Sequence, residues 1–176
     1  MTSNIETVLF AEQEIACRVR ELGQQISRDY DGLRPALVCV LQGAVVFAAD
    51  LMRAISVPFT VDFMAVSSYG EGTASSGVVR IIKDLDESVQ GRHVIVVEDI
   101  VDSGRTLEYL LRVLRQRNPE SLKVCALLDK PECRVVEVAA DYVGFHAPDA
   151  FLVGYGLDYA QEYRGLPYLG ALKPRQ

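Results

Sequence analysis

Apolar residues along the chain follow two rhythms that alternate from the first segment to the last. Ile15, Val19, Leu22 and Ile26 recur at helical spacing and predict one face of an amphipathic helix over about Ala11 to Asp29. Ala36–Leu41 (ALVCVL) is a continuous apolar run of strand length, and Gly43 opens a helical stretch through Arg53. The run FTVDFMAVSSY alternates in part and predicts a strand, followed by GEGTASSG, a small-residue loop with no apolar anchor. Val78–Ile82 reads as a further strand, and Gln90-Gly91 turns the chain into HVIVVE. Leu107, Leu110, Leu111 and Leu114 mark a helix that Asn118-Pro119 ends. LKVCALL, YVGF and FLVGY then predict a strand and two shorter ones.

Strands of unbroken apolar residues, alternating with helices, are buried on both faces. The pattern therefore predicts an α/β fold with a mostly parallel twisted sheet flanked by helices. Ligands are expected at the carboxyl ends of its strands. At 176 residues the length fits one domain spanning residues 1–176. A net charge of −6 and a pI near 5.0 disfavour a surface made to grip nucleic acid, and thus an RNA-binding regulator. The cysteines Cys17, Cys39, Cys125 and Cys133 form no CxxC pair, and with only 2 histidines the chain lacks the usual zinc or redox spacings. Cys39 and Cys125 sit inside apolar runs and read as buried thiols of a reducing compartment. No signal peptide opens the sequence and no apolar run approaches membrane-spanning length, so a cytoplasmic protein without membrane partners is expected.

The stretch HVIVVEDIVDSGRTL (His93–Leu107) carries the chemistry. Its apolar strand ends in Glu98-Asp99, reaches a third carboxylate at Asp102, and turns through Ser103-Gly104 into a helix starting near Arg105. Ser103 is the expected N-cap, and the turn offers free N–H groups at a helix N-terminus, which suit an anion. Gly104 permits close approach or positive φ. Acids able to hold vicinal hydroxyls or a hard cation such as Mg²⁺, beside a phosphate cradle, point to a ribose phosphate ligand. A single acid here would be an ordinary helix cap; Glu-Asp with a third Asp around Ser-Gly asks for more. The turn is not a Walker A loop, since Asp99 stands five residues before Gly104, and GYGLDY does not complete GxGxxG because Tyr159 ends it.

The segment VIVVEDIVDSGRTL resembles the phosphoribosyl pyrophosphate (PRPP) motif of the type I phosphoribosyltransferases. Almost the whole chain is similar to the hypoxanthine-guanine phosphoribosyltransferases, through VLQGAVVFAADL, SSYG, LLDKP and VGFHAPDAFLVGYGLDYAQEYRGLPYLG as well. The resemblance implies a Rossmann-like sheet with a small hood built from chain-terminal segments. It also implies a purine-salvage reaction joining hypoxanthine or guanine to PRPP, giving IMP or GMP and pyrophosphate, with Mg²⁺ as cofactor and a homodimer or homotetramer as the assembly.

By the same resemblance, Glu98 and Asp99 bind the ribose hydroxyls and, with Asp158, the metal. Asp102 is the acid/base facing the purine. Ser103, Gly104, Arg105 and Thr106 hold the 5′-phosphate. Gln42, Gly43 and Arg164 contact pyrophosphate, although Gln42 stands where many relatives carry Lys or Arg. Lys130 donates to the exocyclic oxygen of the base, Phe151 stacks on the ring, and Leu152 and Asp158 meet its edge. Ser68 and Tyr69 belong to a mobile loop that closes on the reaction. Taken singly, Lys130 reads as a solvated turn lysine, Phe151 as core, Asp158 and Arg164 as surface charges, and Tyr155, Tyr159 and Tyr163 as packing. A sister transferase using xanthine or adenine is the alternative.

Overall fold

Side chains of a strand point alternately to opposite faces, so each apolar run of this sequence supplies two cores at once. The structure, a computed structural model, describes residues 5–69 and 78–173, apart from the side chains of Ser68, Tyr69 and Val78. Its elements are β1 (Ile5–Phe10), α1 (Glu12–Asp29), β2 (Ala36–Leu41), α2 (Val45–Ala54), β3 (Thr60–Tyr69) and β4 (Val78–Lys83). They continue with β5 (His93–Val101), α3 (Arg105–Arg115), β6 (Ser121–Asp129), a single 3₁₀ turn (Pro131–Cys133), β7 (Tyr142–His146), β8 (Leu152–Val153) and β9 (Leu169–Leu172).

Among the described residues, a 6-stranded sheet runs in the order β4-β3-β2-β5-β6-β7. Its pairings from β3 through β7 are parallel, and β4 lies antiparallel to β3 at the edge. Leu37, Cys39, Ile95, Val97, Cys125 and Leu127 form one core with α1 and α2. Val38, Val40, Val94, Val96, Val124 and Ala126 form the other with Leu107, Leu110, Leu111 and Leu114 of α3. The mostly parallel α/β sheet and the buried Cys39 and Cys125 match the sequence reading.

Several details differ from it. β5 does not stop at HVIVVE but runs to Val101, so Glu98 and Asp99 lie within the strand's last residues. The helix after it is preceded by Gly104 at φ 82 rather than capped by a Ser103 side chain. FLVGY contributes only Leu152–Val153, and these join a second sheet of order β1-β9-β8. That antiparallel sheet, built from both ends of the described chain, is the hood. β1 and β9 had no strand signal in the sequence reading. Ser68 and Tyr69 lie in β3, their backbones paired with Val79 and Val78, while GEGTASSG lies outside the described residues.

Helices α1 and α2 meet at Gly23, where a Cβ would stand 2.5 Å from the Ala54 Cβ and 2.7 Å from its backbone carbon and oxygen. Alanine is the better helix former by about 1 kcal/mol. Overpacking against backbone costs about 1–3 kcal/mol, which outweighs that gain. Gly23→Ala is therefore expected to lower the urea midpoint; a midpoint at or above that of the parent would show that the two helices can separate freely.

Candidate active site

The carboxyl ends of β2, β5 and β6 meet at one edge of the sheet, where Val101 pairs with Asp129. Directly after β2, Gly43 sits so close to Asp99 that a Cβ there would lie 1.6 Å from Asp99 Oδ2. A side chain at position 43 would have to displace the Asp99 carboxylate. The Leu41–Gln42 peptide just before it is cis. Asp99 Oδ1 accepts the Ile100 N–H at 2.8 Å, which fixes the carboxylate against its own backbone.

A cleft of about 300 Å³ opens here, lined by Gly43, Glu98, Asp99, Asp102, Ser103, Gly104 and Thr106 among others. A second of about 330 Å³ shares Gly43, Asp99, Ile100 and Asp102 with it and adds Gln42, Lys130, Phe151, Leu152, Asp158 and Arg164. The two form one continuous groove across Asp99 and Asp102. The turn between them leaves β5 and enters α3 through Gly104, whose positive φ no branched side chain would adopt readily. A Cβ at Gly104 would also lie 2.6 Å from Val138 Cγ1, so the loop rests tightly on the segment behind it.

On the hood side, Lys130 is buried and its Nζ donates to the Ala150 carbonyl at 2.7 Å. Phe151 is 55% exposed and meets Tyr159 edge-on, ring centroids 5.4 Å apart, so one ring face is open to a stacking partner. Arg164 ties this side together. It pairs with Asp158 at 2.7 Å, donates to the Gly156 carbonyl at 2.7 Å and reaches Gln42 Oε1 at 3.4 Å. Gly156 in turn lies against Gly43, whose oxygen would be 2.1 Å from a Cβ at position 156.

Nearly every residue singled out in the sequence thus lines one groove. Arg105 does not: its side chain is exposed and lines neither cleft. Asp158 is not a plain surface charge, because Arg164 holds it and Gln161 N donates to it at 2.8 Å. Glu98, Asp99 and Asp158 lie along the groove without converging, and among the described residues no cluster of three His, Cys, Asp or Glu is poised as a metal cage. Nothing in the sequence reading drew attention to Ala150, Gly156 or the pair Arg134–Asp129 behind the turn.

Residues 7–160 match the phosphoribosyl transferase domain model. The chain belongs to the phosphoribosyltransferase family. The hypoxanthine-guanine phosphoribosyltransferase of Bacillus subtilis (strain 168) is 53% identical over 174 residues, covering 99% of this chain and 97% of that protein. The bifunctional protein TilS/HprT of Listeria monocytogenes serotype 4b (strain F2365) is also 53% identical over 174 residues, but the chain spans only 27% of its length. A crystal structure of the hypoxanthine phosphoribosyltransferase of Staphylococcus aureus superposes with TM-score 0.95 at 44% identity, covering 99% of this chain and 95% of that one.

The acids of this phosphoribosyltransferase are held under electrostatic tension. Burial, and then the neighbouring charge of Asp99, push Glu98 well above its usual 4.5. Burial lifts Asp99 from 3.8 to about 6, against opposing hydrogen bonds from the Ile100 and Asp99 backbones and the positive charge of Arg164. Among the described residues, no hydrogen-bond donor or cation contacts the Glu98 carboxylate. A carboxyl whose pKa is raised by folding disfavours the native state once pH exceeds its unfolded value, and fully so above the folded one. In the ligand-free protein, Asp99→Asn is therefore expected to raise the melting temperature above a pH of about 6, with the gain fading as pH falls to 3.8. A pH-independent gain in a melting series would exclude relief of this charge as the cause.

Proposed function

We propose that this phosphoribosyltransferase moves the 5-phosphoribosyl group of PRPP onto hypoxanthine or guanine, forming IMP or GMP and releasing pyrophosphate. One observation carries the reading: a single groove joins an anion-receiving strand-to-helix turn to a buried lysine beside an open aromatic face, with Asp99 and Asp102 at the junction. That arrangement suits a ligand with a phosphate at one end and a flat, oxygen-bearing ring at the other.

Each end is recognised by different chemistry. The N–H groups of the Asp102–Thr106 turn and the hydroxyls of Ser103 and Thr106 receive the 5′-phosphate, and the start of α3 adds its partial positive charge. Arg105, exposed as it is, contributes backbone to this turn. Glu98 and Asp99 accept from the ribose hydroxyls. Phe151 stacks on the base, the Leu152 backbone and Asp158 meet its edge, and Lys130, with one donor committed to Ala150, offers the rest to the exocyclic oxygen. Gln42, Gly43 and Arg164 face the departing pyrophosphate; Arg164 supplies the cationic charge that Gln42 does not. Ser68 and Tyr69, the last residues of β3, close on the bound substrates during the reaction.

The base nitrogen attacks C1 of the ribose as the bond to pyrophosphate breaks, through an oxocarbenium-like state. Catalysis is then mostly positioning and charge stabilisation. Asp102, whose exposed carboxylate lies at the groove's centre, exchanges the proton that the purine gives up. The donor set also fits Mg²⁺: Glu98 and Asp99 are hard oxygen ligands whose charged forms burial disfavours, with Asp158 nearby. Mg²⁺ is ordinarily held by one or two carboxylates plus substrate phosphates rather than by a protein cage. When bound, it would neutralise charge on the pyrophosphate. The free thiols Cys39 and Cys125 agree with a cytoplasmic setting, and a homodimer or homotetramer is the assembly that goes with this reading.

Replacing Asp102 by Asn preserves shape but removes the basic oxygen. We expect kcat to fall by about 10²–10⁴-fold with much smaller change in nucleotide affinity. An unchanged single-turnover rate would take Asp102 out of the proton transfer.

Base selectivity tests the reading as a whole. Hypoxanthine and guanine present an acceptor to Lys130, whereas adenine presents an amino donor. Adenine would leave two donors opposed in a largely dry pocket. An absorbance assay with PRPP, Mg²⁺ and hypoxanthine, guanine, xanthine or adenine in turn should show adenine used at least about 10³-fold less well than hypoxanthine by kcat/KM. Lys130→Ala should narrow that ratio. Comparable turnover of adenine by the unaltered protein would refute the assignment.

A further inference from the structure

The turn that would receive the 5′-phosphate has its carbonyl oxygens tied down one after another. Lys130 N donates to Val101 O at 2.9 Å, Val135 N to Ser103 O at 3.0 Å, and Glu108 N to Gly104 O at 2.8 Å. The remaining oxygen, that of Asp102, is held at 2.7 Å by Arg134 Nη1. Three of these donors are backbone groups, supplied by the chain path itself. The fourth is a side chain, and it is charged.

Arg134 lies outside the groove: it lines neither cleft. Its Nη2 pairs with Asp129 Oδ1, and Asp129 is a buried carboxylate. His146 Nδ1 stands 3.6 Å from the other oxygen of Asp129. The aliphatic stem of Arg134 runs under the turn, its Cδ 3.0 Å from where a Gly104 side chain would begin. One residue therefore grips Asp102 by its carbonyl and supports Gly104 from below, while Asp129 fixes its fork.

A trans peptide is planar, with the carbonyl of one residue and the N–H of the next pointing in opposite directions. Anchoring the Asp102 oxygen on the Arg134 side thus aims the Ser103 N–H away from Arg134, toward the groove that Ser103 lines. We infer that Arg134 is a positioning residue: through the Asp102 carbonyl it orients the N–H groups of the Asp102–Thr106 turn for the phosphate of the ligand. The inference rests on the proposed function, and it assigns Arg134 no contact with substrate. It differs from a plain folding role, because a fold defect would weaken every ligand, whereas a rotated peptide weakens only phosphorylated ones.

The experiment compares IMP with inosine, which lacks the phosphate, by titration calorimetry. Two variants separate misfolding from misorientation. Arg134→Lys keeps the ion pair with Asp129 but loses the fork that also spans to Asp102. The double variant Asp129→Asn, Arg134→Gln removes both charges, so no carboxylate is left buried without a partner. In both, IMP affinity should fall by about tenfold or more, the loss expected for one charge-assisted hydrogen bond. Inosine affinity and the KM for hypoxanthine should stay as in the parent. An unchanged ratio of IMP to inosine affinity in the folded variants would overturn the inference, and so would an equal loss for both ligands. A parent protein that does not prefer IMP to inosine would instead overturn the proposed function on which the inference stands.

Discussion

Asp99 and Gly43 occupy what is nearly the same space, and the geometry of the groove follows from that contact. An oxygen of Asp99 stands where a side chain at position 43 would begin, so the ends of β2 and β5 approach as closely as two backbones and one carboxylate allow. The Gly43 carbonyl then receives Gly156 on its other side, again at a distance that excludes a Cβ. Main sheet, β2 loop and hood loop are thus stacked through two glycines.

That closeness has an electrostatic cost. Glu98 is buried and its neighbour Asp99 half-buried, and desolvation disfavours the ionisation of both. Arg164 reduces the strain on Asp99 while it holds Asp158, so one guanidinium serves two acids. A fold optimised for stability alone would replace such a pair with apolar residues. Its persistence at the carboxyl end of a central strand is what a site built for a polyhydroxylated or cationic ligand requires.

Much of this was legible in the sequence because the relevant signals are local. Strand β2 and the buried face of α1 follow directly from apolar spacing, and the acidic strand end with its glycine turn announces a ligand. What could not be read comes from pairing at long range. β1 (IETVLF) mixes polar and apolar residues, and β9 has only four residues including a glycine; each becomes a strand by pairing with the other across the length of the chain. Ser103 has the composition of a cap, yet the backbone prefers the positive φ of Gly104, and Val138 leaves no room for a side chain there. Arg134 lies in a stretch without periodicity, and its partners Asp102 and Asp129 are fixed only by the fold. Lys130 looked solvated because its neighbours are turn residues; the Ala150 carbonyl that captures it comes from the hood approach.

The hood is bolted down on one side. Tyr155 reaches Asp50 of α2 at 2.6 Å, Gly156 sits on Gly43, and Arg164 spans to Gln42, all in the loop that follows β8. The same small sheet is completed by β1 and β9, the outermost strands of the described chain. Mechanical load on β1 would therefore reach Leu152 and the Phe151 ring by way of β9, and load on β9 would reach them directly, without passing through the α3 turn. A tether, a fused neighbour or a surface attachment at either end would act as a handle on the aromatic half of the groove first, and reach the anion-receiving half only through Gly156 and Gly43.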